Sequence, residues 1–323
     1  MFRQTPRFLL RRRALQSLSA VALLGLPALT HAQSKGKNQA QSRALTLIVP
    51  SGAGSTADIV STAMSTDLAA LLQYPVQLKN TNDATNIVDT IQALARAAPD
   101  GDTVGMIDPS HLLLPFAHAS LPFDPAEDFT IVSVLGGAPL LLLTNPAKVQ
   151  ATTAQELIAA VKANPGVYRY GVAGQGSALH LAVDLFLKQT GLNALATPYS
   201  GEGTMLNALA DQGLDFCIAT LPGAHGLLTS NVVRALGVCS GMRLMAMPTI
   251  PTLREQVLPM YEMESWCALL APAGISSTQA STVYSAFRRA LSLTPTKRAL
   301  EALGITLIMM PPDQSALIMQ AEM

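Results

Sequence analysis

Short apolar runs alternate with longer stretches of helical periodicity along most of the chain. This alternation restricts the fold more than any other feature of the sequence. Leu45–Val49 reads as a strand, and Val60, Met64, Leu68 and Leu71 then recur at helical spacing. "PVQLKN" reads as a second strand, Ile87–Ala97 as a helix and "TVGMID" as a third strand. A β-α-β-α-β order implies a mainly parallel sheet with helices on its faces. The pattern changes near "FDPAEDFTIVSVLGGAPLLLLTN", where two strand-like runs follow each other around Gly136-Gly137.

A second alternating series then begins. Thr153–Ala163 is helical, "YRYGVA" a strand, Ser177–Thr190 helical, "LATPYS" a short strand and Gly203–Leu209 a helix. "LDFCIA" and "VVRALGV" are strands, and a Pro- and Met-rich stretch, Met245–Pro259, precedes the strand "SWCALLAPAG". Helical patterns over 278–291 and 295–303 lead to "ITLIM" and a last short helix. Two α/β units joined by extended crossings predict a bilobal protein. Residues 44–134 plus 263–323 would form a discontinuous first lobe and 135–262 the second. A cleft would lie between them, with the crossing strands as a hinge.

The N-terminus reads as an export signal. Arg3, Arg7 and Arg11-Arg12-Arg13 precede an uncharged stretch, Ala14–Ala28, and small residues around Ala32 offer a cleavage site. The apolar run is short for a membrane span. We therefore expect residues 1–32 to be a signal peptide, 33–43 a polar linker, and the mature protein to be periplasmic. The twin-arginine route stays open. The whole chain has formal charge zero, but loss of residues 1–32 leaves 16 basic and 21 acidic side chains, about −5. No basic stripe with interleaved aromatics occurs, which argues against nucleic acid as a partner. Cys217, Cys239 and Cys267 fit no zinc spacing and lie in apolar runs, as buried thiols do. No metal or other cofactor is expected.

Two glycine turns stand out. Gly52-Ala53-Gly54-Ser55 and Gly174-Gln175-Gly176-Ser177 share the pattern G-x-G-S, each after a strand and before a helix, one in each proposed lobe. Glycines permit positive φ and close approach to a ligand. The following helix start offers unpaired N–H groups and partial positive charge. Two such turns facing across a cleft would hold an anion from both sides. The first turn lacks the lysine of a phosphate loop and the G-x-S-x-G of a nucleophile elbow. Ala57 stands where a dinucleotide fingerprint would place its third glycine, and the spacing is wrong. A plain β-α connection without ligand also fits it. Ser55-Thr56-Ala57-Asp58 matches a capping box, so Asp58 reads as a helix cap. His180, three residues after Ser177, raises a hydrolase alternative using Ser177 or Ser55. However, no acid is evident in sequence to orient its imidazole. His111 and His118 read as structural, and Trp266 and Tyr261 as core or hinge packing.

Several motifs, in this order and after an export signal, resemble one family. They are "VPSGAGSTAD", "AAPDGDTV", "LPFDPAEDFTIVS", "YGVAGQGSALHLA", "PYSGEG" and "LLAPAGIS". From about Leu45 to the C-terminus the chain is similar to the Bug-type extracytoplasmic solute receptors of tripartite tricarboxylate transporters. The resemblance implies an α/β, two-lobed, periplasmic-binding-protein-like (Venus flytrap) fold, each lobe a mainly parallel sheet flanked by helices. It implies a non-enzymatic receptor that closes on a small organic carboxylate, held by backbone amides and hydroxyls. Membrane transporter subunits would be its partners, or a sensor protein in an alternative role, and the receptor would work as a monomer.

Carried over by position, the first-lobe contacts fall on Ser51, Gly52, Ala53, Gly54, Ser55 and Thr56, with Asp108 and Ser110 after the third strand. The second-lobe contacts fall on Gly174, Gln175, Gly176, Ser177 and His180, and on Tyr199, Ser200 and Gly201. The sequence departs from the family in the first loop, in the second loop, within "SWCALL", where a usual glycine is replaced, and in the last helix. Ala53 replaces a glycine, Asn80–Asp89 lacks the usual arginine, proline and glycines, and the last helix is short.

Overall fold

A computed structural model describes residues 43–80, 87–174 and 176–322. The expected signal peptide, residues 33–42 of the linker, residues 81–86 of the second loop, and Gln175 lie outside the described residues. The chain opens with β1 (Leu45–Val49), α1 (Thr56–Leu72), β2 (Val76–Asn80), α2 (Ile87–Ala95), β3 (Thr103–Ile107) and α3 (Ser110–Ala117). A long strand, β4 (Phe129–Thr144), leads to α4 (Ala154–Ala163), β5 (Arg169–Ala173), α5 (Ala178–Thr190), β6 (Leu195–Tyr199), α6 (Glu202–Ala210) and β7 (Phe216–Thr220). Then come α7 (Leu221–Thr229), β8 (Arg234–Val238), α8 (Leu253–Gln256) and β9 (Glu264–Pro272). The chain finishes with α9 (Ser277–Ser292), α10 (Thr294–Ala302), β10 (Thr306–Leu307) and α11 (Pro312–Glu322).

The strands hydrogen-bond in the order β2-β1-β3-β9-β4-β7-β5-β6, with β8 and β10 also on β4. β4 is the seam. Its residues 129–139 pair with β9, and Leu140–Thr144 pair with β7 and β8. The sequence reading had two runs around Gly136-Gly137, but they are one 16-residue strand with two register shifts. The glycines sit inside it because neighbouring backbone leaves no room for a Cβ. One at Gly136 would collide with the Thr306 carbonyl, and one at Gly137 with the Ser265 carbonyl.

Pairing is parallel within β1, β2 and β3 and within β5, β6 and β7. It is antiparallel where β9 meets β3 and β4, and where β4 meets β7, β8 and β10. The parallel character therefore belongs to the outer strands of each half. β4 and β9 traverse the seam in opposite directions, which forces an antiparallel pair.

Each half covers its sheet on both faces. In the first, Leu47, Val49, Val60, Met64 and Leu68 form one apolar layer with Phe287 of α9, while Ile91, Leu94, Phe123 and Phe129 form the other. In the second, Phe186, Phe216 and Tyr261 dominate one layer and Met205, Leu209 and Leu214 the other. Fully burying each such side chain stabilises the fold by about 1.5–3 kcal/mol. The three cysteines are free and buried, and burial pushes the thiols of Cys239 and Cys267 up to about 12, leaving them as small hydrophobes.

Helices α3, α7 and α8 are not legible as periodic patterns. α3 carries Pro115 inside a leucine run, and α7 carries two glycines behind a proline at its first turn. "ITLIM" contributes a two-residue strand only.

Candidate functional site

Where the two halves of the sheet meet, helix starts converge. The first turns of α1, α3, α5, α6 and α7 all line one cleft through Ser55, Thr56, Ser110, Ser177, Ala178, Gly201, Glu202 and Thr220. The cavity holds about 650 Å³. Among the described residues no lysine or arginine lines it, so the positive potential comes from backbone N–H groups.

The two glycine turns have the same geometry. Ser55 caps α1 and accepts from the Asp58 N–H at 3.2 Å; Ser177 caps α5 and accepts from the His180 N–H at 3.1 Å. In each, the serine N–H closes on a glycine carbonyl three residues back, Gly52 or Gly174, at 3.2 Å. Gly54 has φ 84° and Gly176 φ 77°, so both pre-serine positions require glycine. In each, the side chain three residues past the serine reaches back. The Asp58 carboxylate accepts from the Gly54 N–H at 2.9 Å, and His180 Nδ1 accepts from the Gly176 N–H at 3.0 Å. Asp58 also receives Asn80 Nδ2. Its carboxylate therefore braces the turn before the helix, while Ser55 caps the helix; the capping box read from the sequence does not close, because the Ser55 N–H goes to the Gly52 carbonyl.

His180 is oriented by an acid, contrary to the sequence reading: Asp184 Oδ2 lies 3.2 Å from its Nε2, one turn along α5. Neither imidazole nitrogen is left to serve Ser177, whose hydroxyl donates to the Ala173 carbonyl at 2.7 Å. The triad geometry of a hydrolase is absent from these two residues.

The remaining predicted residues divide. Ser51, Gly52, Ser55, Thr56, Asp108, Ser110, Gly174, Gly176, Ser177, His180, Ser200 and Gly201 line the cleft. Ala53, Gly54 and Tyr199 do not. Ala53 is exposed and its carbonyl lies against Gly203, Gly54 spends its N–H on Asp58, and the Tyr199 carbonyl holds the Gly174 N–H at 3.0 Å. These three shape the turns. Gln175 lies outside the described residues. His111 is buried against Phe123 and Phe129, and burial lowers its pKa. His118, read as structural, instead lines the cleft beside the exposed Phe116 at the end of α3.

Contacts cross from one half to the other beside the cleft. The Ala178 N–H donates to Ser110 Oγ at 3.2 Å, and Gly52 faces Gly201 backbone to backbone. Asp108 anchors the first wall by accepting from Ser51 Oγ at 2.5 Å and from the Ser110 N–H at 2.9 Å.

Glu202 is the main residue that the sequence reading passed over. It is 5% exposed at the first residue of α6, and its Oε1 accepts the Thr220 N–H at 2.6 Å. Burial pushes its carboxyl up to about 7 against the opposing bonds from Thr220, with Asp108 adding repulsion. The signal was available: "SGEG" puts an acid in the first turn of a helix beside an expected contact loop. Ser265 and Leu140, on the seam strands, carried no such signal. Among the described residues no group of three or more His, Cys, Asp or Glu side chains is placed to hold a metal. Nor is any helix there long and apolar enough to cross a membrane.

A mixed sheet divided at one long strand, with helix starts turned into the dividing cleft, is the architecture of periplasmic binding proteins. The chain belongs to the tripartite tricarboxylate transporter receptor family, whose model matches residues 60–323. It is 30% identical over 279 residues to the protein BugT of Bordetella pertussis, covering 84% of each chain. Among solved structures it is similar to MatC of Rhodopseudomonas palustris with bound malate, at 26% identity and TM-score 0.80, covering 87% of this chain and 96% of that one. An R. palustris protein with adipate is equally similar, at 26% identity and TM-score 0.80, covering 87% and 94%.

Proposed function

We propose that this protein is an exported solute receptor that captures a small organic carboxylate in the cleft and delivers it to a tripartite tricarboxylate-type uptake system. The observation that carries this reading is the cleft itself, where five helix starts meet with no basic side chain among the described lining residues. Such a wall holds one or a few anionic oxygens through fixed N–H and hydroxyl donors. The malate and adipate found with related proteins are short carboxylates of suitable size.

In this reading residues 44–134 plus 263–323 and residues 135–262 are lobes, with β4 and β9 as the hinge. The Gly52 and Gly201 turns, backbone to backbone in this structure, would part when the lobes open. The protein works in the periplasm after loss of residues 1–32. It binds without turning its ligand over, because Ser177 and His180 are each engaged elsewhere.

The test is a thermal-shift and calorimetric panel of short carboxylates on the purified protein. Saturable one-to-one binding with stabilisation is expected. A panel without a binder, or turnover of an ester substrate that is lost in Ser177→Ala, overturns it.

A further inference from the structure

The long strand β4 is irregular on the first half's side of the seam. Its register against β9 shifts between Ile131 and Ser133 and again between Val134 and Gly136, so Val132 and Leu135 have no residue opposite them on β9. An extra residue of this kind takes backbone groups out of the ladder and lets the strand bend there. A hinge built on this strand would bend first at such positions.

The C-terminal segment takes up the freed groups. The Leu135 carbonyl accepts from the Ile308 N–H at 2.8 Å and the Met309 N–H at 3.1 Å, and the Val134 carbonyl accepts from the Met310 N–H at 2.9 Å. The Val134 N–H donates to Ser315 Oγ at 2.9 Å. Ser133 Oγ and Ser315 Oγ both donate to the Met310 carbonyl, at 2.7 Å and 3.1 Å, and both serines are fully buried. Tyr284 Oη on α9 donates to the Met309 carbonyl at 3.0 Å, which ties the segment to the body of the first half. Thr306 and Leu307 then pair with Gly137 and Gly136. From Leu140 onward β4 pairs with β7 of the other half. Between these two attachments lie Ala138 and Pro139, whose partners are Ser265 and Glu264 of β9.

We propose that residues 306–315 form a strap that stiffens the bulged part of β4 and confines lobe motion to Ala138 and Pro139, with Ser133 and Ser315 as positioning residues. This rests on the two-lobed reading above and adds where its pivot lies. With the strap unfastened, the two bulges become further pivots and the lobes sample a wider range of separations. A ligand that needs both walls at once binds only the fraction of molecules in which they meet, so the strap also sets affinity from outside the cleft.

The test is pulsed spin-label distance measurement on the unliganded protein. The labels sit at Lys79→Cys on β2 and Lys188→Cys on α5, both exposed and one in each half. The three native cysteines are buried, so the introduced thiols take the labels. Ser315→Ala and Ser133→Ala are each expected to broaden the distance distribution and shift its mean. Thr296→Val, which removes a buried hydroxyl bond to Asp67 elsewhere in the same half, is expected to leave it unchanged. A distribution that stays as narrow in both serine variants as in the unaltered protein overturns the proposal, and so does equal broadening in Thr296→Val. No ligand is present, so a failure here does not bear on the carboxylate reading. Should Ser315→Ala, which strands the Val134 N–H, fail to fold, Ser133→Ala decides. Should neither fold, amide exchange in the unaltered protein decides: Ala138 is expected to exchange about tenfold or more faster than Val134 and Met310, and equal rates overturn the proposal.

Discussion

The two walls of the cleft are built on one plan with different chemistry. Each has a G-x-G-S turn, a serine cap, and a side chain three residues on that reaches back to the pre-serine glycine. On the first wall that side chain is Asp58, which also receives Asn80. On the second it is His180, held by Asp184. The cleft acids differ too. Asp108 accepts from two donors, Ser51 Oγ and the Ser110 N–H, at a half-buried loop, whereas Glu202 is buried beneath Thr220. Equivalent geometry can therefore be held by a carboxylate oxygen or by an imidazole nitrogen.

The largest expected effect concerns the acids. Because the folded protein raises the Glu202 carboxyl to about 7, the folded state binds its proton more tightly than the unfolded chain does. The associated stability is fully present below the usual carboxyl range and is lost as pH climbs through about 7, by roughly 3 kcal/mol at most. Urea unfolding of the unliganded protein across that window should show the decline, and Glu202→Gln should flatten it. An equal slope in both proteins would mean that the two cleft acids do not differ as their burial requires. Next in size is Asp58→Ala. It removes the acceptor for the Gly54 N–H and for Asn80 at a half-buried position, where water replaces part of what the two bonds contribute. A loss of about 2 kcal/mol in urea unfolding is expected; a negligible loss would leave the first turn without its proposed brace.

Much of this wall was legible in the sequence. Ser51 to Thr56, Gly174, Gly176 and Ser177 are local: a strand, a turn with glycines at fixed offsets, and a capped helix are set within ten residues. The strand and helix series was legible for the same reason. What was not legible depends on contacts distant in sequence. Gly136-Gly137 looked like a break, since nothing nearby reveals that Thr306 and Ser265 press against it. The orienting acid Asp184 is one helical turn from His180, but no periodicity marks it as a partner. Ser265 and Leu140 enter the cleft only because β9 and β4 cross the seam side by side. Glu202 reads as a solvated first-turn acid until Thr220, eighteen residues later, folds over it.

The closure of one wall on the other can be tested apart from either turn's stability. Gly201 has φ −179°, an extended conformation that any residue adopts, and a Cβ there would meet the Gly52 backbone across the cleft. Gly201→Val should thus keep the unfolding midpoint of the unliganded protein while weakening carboxylate binding about tenfold, near 1.4 kcal/mol. Unchanged affinity would mean that the two turns need not meet when ligand binds.

The smallest effect sharpens the contrast between Asp58 and His180. His180→Ala removes a neutral acceptor from the Gly176 N–H, and a typical net hydrogen bond is worth about 0.5–1.5 kcal/mol, so it should cost less stability than Asp58→Ala. His180→Asp supplies a carboxylate at the same helical position, but that side chain also lies four residues before Asp184 on α5. Like charges at that spacing repel by a few tenths of a kcal/mol, so its recovery relative to His180→Ala should be partial. Urea unfolding of the two variants side by side measures it. If His180→Asp is worse than His180→Ala, then the imidazole, by bridging Gly176 to Asp184, is required for more than acceptance, and the second wall is not a weaker copy of the first.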